Sequence, residues 1–169
     1  MPPDTHASFQ LCRLPQAIRY ILSAFMIVLT LSVFTGLIFI AHNTGMNRAG
    51  ISTHYAGAVP SDDDFDVPEH YAKPFAEMLI TTHNHLFGFA VIFLITGLLF
   101  YASSFPFPRL KLLLMTEPFL TVLLTFGGLW LVRYHASFWS GPVIFFSVLT
   151  YICYFIMTGY IIFDLLLKR

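Results

Sequence analysis

Charge is scarce in this chain. Asp, Glu, Lys and Arg make up 11% of its 169 residues, whereas a soluble domain carries about a quarter. The nine basic and nine acidic side chains cancel, so no basic surface points to nucleic acid. There are two cysteines, Cys12 and Cys153, with no CxxC or CxxCH between them. This argues against a zinc ribbon, a thioredoxin-type site and covalently attached haem c. There is no GxGxxG, no Walker loop and no nucleophile elbow. Internal repeats and low-complexity tracts are missing too.

What the chain has instead is apolar length. Residues of hydrophobic type make up 57%, with 19 Phe and eight Tyr, and mean hydropathy is +0.73. A helix needs about 20 apolar residues to cross a bilayer, and four segments qualify: about 17–41, 75–102, 110–132 and 142–167. The first is too long for a signal-peptide core and has no small-residue cleavage site, so it is expected to stay as an anchor. "SSFPFP" (103–108) and "SFWSGP" (137–142) break the chain between later spans. The expected fold is therefore all-α, an integral membrane four-helix bundle forming one domain over 1–169. One long loop, about 42–74, joins the first two spans.

Lys and Arg set the expected orientation. Arg13, Arg19, Arg109, Lys111, Lys168 and Arg169 fall on the side of the N-terminus; Arg48, Lys73 and Arg133 fall on the other. The positive-inside rule puts both termini in the cytoplasm of a bacterial inner membrane and the long loop in the periplasm. That loop holds "SDDDFD" (61–66) and Glu69, most simply a solvated stretch, alternatively a surface that steers a basic partner such as a periplasmic cytochrome c.

The topology also gathers histidine. His42, His54, His70, His83, His85 and His135 all fall in the outer half; His6 alone is cytoplasmic. Ionisable groups inside a span are costly, and they usually face the bundle interior or a functional site. "TTHNHLFG" (81–88) puts two of them about two to three turns into the second span. Residues two apart on a helix point about 200° from each other, so His83 and His85 cannot easily share a metal. His85 shares its face with Met78, Thr81, Gly88 and Thr96, and is expected to point into the bundle. His83 shares its face with Leu79, Ile80, Leu86, Phe87 and Leu94, and would meet a second cofactor, a partner subunit or an irregular backbone.

Hydrogen bonds from these imidazoles to polar groups across helices would explain the two without any ligand. The functional reading is a cofactor site. Haem b needs one or two axial ligands, an apolar slot and polar contacts for its propionates. His85 and His83 supply imidazole, Gly88 leaves room for a flat macrocycle unless it merely allows close helix packing, and Arg133 or Lys73 stands near the outer surface. His135 is the first candidate for a second ligand. His85 lies about 15 Å along its helix from residue 75, however, and if the depths do not match, His42 or His54 replaces His135, with the long loop as a lid. Copper, held by His85, His83 and His135 with Met78 as a soft ligand, is the competing metal.

Three acidic residues need separate weighing. Glu117 precedes Pro118 in "TEPF" (116–119), where a carboxyl is expected to be protonated or hydrogen-bonded. It is either a proton-relay or quinone-contacting group, or part of a kink held by a cross-helix hydrogen bond. Asp164 stands near Lys168 and is read as half of a surface ion pair. Glu77 opens the second span, where a carboxylate complements the helix N-terminus or supports a histidine ligand.

"THYAG" (53–57), "KPFAEMLITTHNHLFG" (73–88), "EPFLTVLL" (117–124) and "GGLWLVRY" (127–134) resemble a group of small bacterial four-span membrane proteins with HYxG and THxH motifs. The resemblance covers most of the chain from about residue 17. It implies a shared architecture and the shared polar positions His54, Tyr55, Gly57, Lys73, Glu77, Thr82, His83, His85, Arg133 and Tyr134. Glu117 stands where the group is expected to carry an apolar or small residue.

The expected function is haem b binding and electron transfer, as a subunit of a respiratory or oxidoreductase complex rather than a stand-alone enzyme. A copper protein and a cofactor-free accessory subunit are the alternatives. Expected partners are lipid, other membrane subunits, and a periplasmic cytochrome c or a quinone.

Overall fold

The computed structural model describes residues 10–58 and 71–168. The acidic run, Glu69, His70, His6 and Arg169 lie outside the described residues. Five α-helices follow in order: α1 (Gln16–Thr44), α2 (Arg48–Ala56), α3 (Phe75–Tyr101), α4 (Pro108–Tyr134) and α5 (Ser140–Ile162), which continues as a π-helical turn, Phe163–Leu167. There is no strand among the described residues. Four stretches are long and apolar enough to cross a membrane: α1, α3, α4 and Ser137–Leu167. Their outward faces carry Ile21, Leu31, Phe87, Leu98, Leu123 and Phe145, all exposed. A belt of that kind is stable against lipid and aggregates in water.

Helix ends follow local chemistry. Proline precedes α1 and α3 (Pro15 and Pro74) and opens α4 as Pro108, where a missing N–H costs nothing. Gly45 closes α1 in the left-handed region at φ 57°, donating its N–H to Ala41 O at 2.9 Å, a conformation that favours glycine.

The stretch 42–74 is not all loop, which corrects the expectation. α1 runs on to Thr44 and carries His42, and α2 occupies Arg48–Ala56. Asn47 caps α2 by accepting the Gly50 N–H at 2.8 Å, and Gly57 ends it at φ 89°. Nine residues with Ile51 as the one buried position give no periodicity to read, so the bracketing Asn and Gly residues carry the signal.

α4 and α5 form the tightest pair, with α3 against both. Phe93, Phe126, Val143, Tyr154 and Met157 fill this core. α1 stands apart: it meets α2 at its end and the π turn at its start, touches α5 lightly, and hardly meets α3. The start of α1 and the end of the π turn lie together, because Arg19 donates to Leu165 O and Lys168 O, each at 2.8 Å. Asp164 is fully buried here. It accepts from Ser104 Oγ at 2.6 Å and from the Ser104 N–H, so it ties α5 to the α3–α4 connection and is not half of a surface pair with Lys168.

Candidate functional site: a lateral cavity under α2

Because α1 and α3 hardly meet, a cavity of about 790 Å³ opens between them. α4 and α5 form its floor and α2 closes the end away from the termini. The walls are mostly apolar, with Phe39, Ile92, Phe89, Phe126, Leu129 and Val143. A band of polar groups lies across them.

His85 reaches this cavity from α3. Its Nδ1 lies 2.8 Å from Thr81 O. A carbonyl only accepts, so Nδ1 carries the proton, and in the neutral ring Nε2 keeps its lone pair. The ring is steadied against Phe126, with centroids 5.1 Å apart, and Phe89, at 6.3 Å. Gly88, one turn on, also lines the cavity, and a Cβ there would meet nothing within 4 Å. Close helix packing therefore does not account for Gly88.

The rim is built by α2 and the start of α3. His54 and Tyr55 line the cavity from α2, and Lys73 and Glu77, which form an ion pair, line it from α3's side. Burial pushes the Tyr55 phenol up, and the Glu77 charge adds to this. The rim is locked in place because Lys73 N–H donates to Tyr55 O at 3.1 Å and Arg133 Nε donates to Lys73 O at 2.7 Å. Arg133 also lies 4.7 Å from the Tyr134 ring. It holds the entry to α3 and does not line the cavity. Thr82 has a similar part, accepting from Trp130 Nε1 at 2.9 Å and so fastening α3 to α4.

The histidines separate by cavity lining. His85, itself exposed, and His54 line the cavity, whereas His42, His83 and His135 are exposed and do not line it. Asn84 lines it in place of His83. Among the described residues, no three His, Cys, Asp or Glu side chains gather where they could hold a metal ion, so His85, His83 and His135 are not brought to one point.

Sequence reasoning missed the floor. Thr125 on α4 and Ser147, Thr150 and Tyr151 on α5 line the cavity. Thr125 Oγ1 is buried without a hydrogen-bond partner among the described residues, which suits a polar occupant or water. The signal was present: positions 147, 150, 151, 154 and 158 form a polar stripe at helical spacing on α5.

Four long apolar helices around a partly polar cavity define a multi-pass transmembrane helical protein. Residues 45–169 match the family model of the transmembrane helical domain Aq_1264_TM, and the chain belongs to that family. The matched region runs from the α1–α2 junction to the C-terminus and includes every cavity residue except those of α1. No curated protein and no solved structure matches the chain.

Proposed function

We propose that the protein binds haem b in the lateral cavity and transfers electrons as a subunit of a respiratory or oxidoreductase complex in a bacterial inner membrane, with both termini cytoplasmic. The observation that carries this reading is His85: it lines the cavity beside Phe89, Phe126 and Gly88, and a Thr81 carbonyl holds Nδ1–H, which leaves Nε2 as the ligating nitrogen. His54 is the candidate second ligand, brought to the same cavity by α2. Lys73 and Glu77 lie at the polar end, Glu77 about 12 Å along the helix from His85 at 1.5 Å per residue, where Lys73 would meet propionates. Bound haem supplies a one-electron couple. The protein's own part is to orient the imidazole, exclude bulk water and fix the ring's polar edge. Two imidazoles suit a haem better than a copper site, which wants more donors at one point.

The gap between α1 and α3 faces the membrane, so a quinone is the nearer partner and a periplasmic cytochrome c the outer one. The test is an optical spectrum of the full chain purified from membranes of haem-replete cells, with the haem quantified after denaturation. Soret and α bands at about one haem per chain are expected. A colourless preparation with normal folding defeats the reading and leaves the cofactor-free accessory subunit in the lead.

A further inference from the structure

Glu117 lies inside the α4 span, and its surroundings connect it to the cavity. Thr150 lines the cavity, and its hydroxyl donates to Thr121 Oγ1 at 2.8 Å. Thr121 Oγ1 in turn lies 3.5 Å from Glu117 Oε2. Both threonines are buried, 3% and 2% exposed. Each hydroxyl also has backbone carbonyls within reach, Phe146 O for Thr150 and Glu117 O and Pro118 O for Thr121. A single hydroxyl proton can therefore swing between acceptors. Cys153 Sγ donates to the same carboxyl oxygen at 3.2 Å, and the sole ion pair among the described residues is Lys73–Glu77. A carboxyl without a cationic partner is costly in a membrane segment. A mere anchor for the Pro118 kink would not need a hydroxyl line ending at the cavity.

We propose that Glu117 exchanges protons with the cavity through Thr121 and Thr150, so that a charge change in the cavity is balanced by an intramembrane carboxyl. In one direction Thr121 passes its hydroxyl proton to the Glu117 carboxylate and takes the Thr150 proton, and Thr150 takes one from water or an occupant of the cavity. The reverse sequence discharges it. Only O–H bonds form and break, and one proton moves. The proposal stands on the cavity and not on haem, and its test needs no cofactor.

The test is infrared spectroscopy of the full chain in lipid nanodiscs, switched from H2O to D2O. The carboxyl band missing from Glu117→Gln is assigned to Glu117 and is expected to shift on exchange. Thr150→Val should slow that shift about tenfold or more, Thr150→Ser should restore it, and Cys153→Ala should leave it unchanged. Three results would overturn the proposal: no exchangeable carboxyl band assignable to Glu117, an unslowed shift in both Thr150→Val and Thr121→Val, or loss of exchange in Cys153→Ala. Colour in the preparation has no bearing on any of these outcomes, so failure here is separable from failure of the haem reading.

Discussion

His83 and His85 are two residues apart and have unrelated environments. Both are exposed, but the turn of the helix leaves His83 outside the cavity and sets His85 in its lining with a carbonyl at Nδ1. His85→Ala is expected to abolish the haem spectrum and His83→Ala to leave it close to wild type at equal protein loading. Full retention in His85→Ala would remove it as a ligand. Asp164 makes the opposite kind of point, an acid whose role is architectural. Among the described residues, its hydrogen bonds are the two from Ser104, and the Lys111 charge interacts with it as well. Hydrogen bonds to charged groups contribute about 1.5–3 kcal/mol each, so Asp164→Ala should lower the melting temperature in detergent measurably, while Asp164→Asn, which keeps an acceptor, should lower it less. An unchanged melting temperature in Asp164→Ala would show that the tie is dispensable.

Among the elements, α2 decides whether the cavity has an end. It is short and polar, and it depends on its cap and on a close approach to α1. A Cβ on Gly50 would sit 1.9 Å from Thr44 O, a backbone atom that cannot move aside without shifting the α1–α2 junction. Gly50→Ala is therefore expected to dislodge α2, seen as faster proteolysis around residue 57 and weaker retention of any cavity ligand. Gly127→Ala is the matched control, because nothing lies within 4 Å of a Cβ there; it should be neutral or stabilise α4 by up to about 1 kcal/mol. Equal protease sensitivity in the two variants would mean that α2 is not held by that contact. α4 and α5 are fastened by apolar packing of Phe126, Val143 and Met157, with a close approach of their own at Gly128, where a Cβ would lie 2.7 Å from Val143 Cγ2.

At the scale of the whole molecule, the start of α1 and the π turn lie at one end, and the cavity, open laterally between α1 and α3, lies towards the other under α2. The lysines and arginines are split six to three between those ends. A reporter protein active only in the periplasm, fused after residue 169, is expected to stay inactive, and the same reporter fused after residue 58 to be active. The reversed pattern would turn the molecule over and place the histidines on the cytoplasmic side. The sequence by itself determined the four apolar helices, their breaks and the gathering of histidines towards one end, because span length and the cost of polar groups in lipid are properties of local composition. The split between His83 and His85 was also legible, from helical geometry alone. Tertiary structure decided the cavity, the entry of His54 into it, the exclusion of His42, His135 and Arg133 from its lining, and the burial of Asp164. The reason is physical: lipid is as apolar as the bundle core, so a helix that is apolar all round does not announce which face packs. How far α1 stands from α3 depends on contacts with α2, α5 and the π turn, and those are made only once the whole chain has assembled.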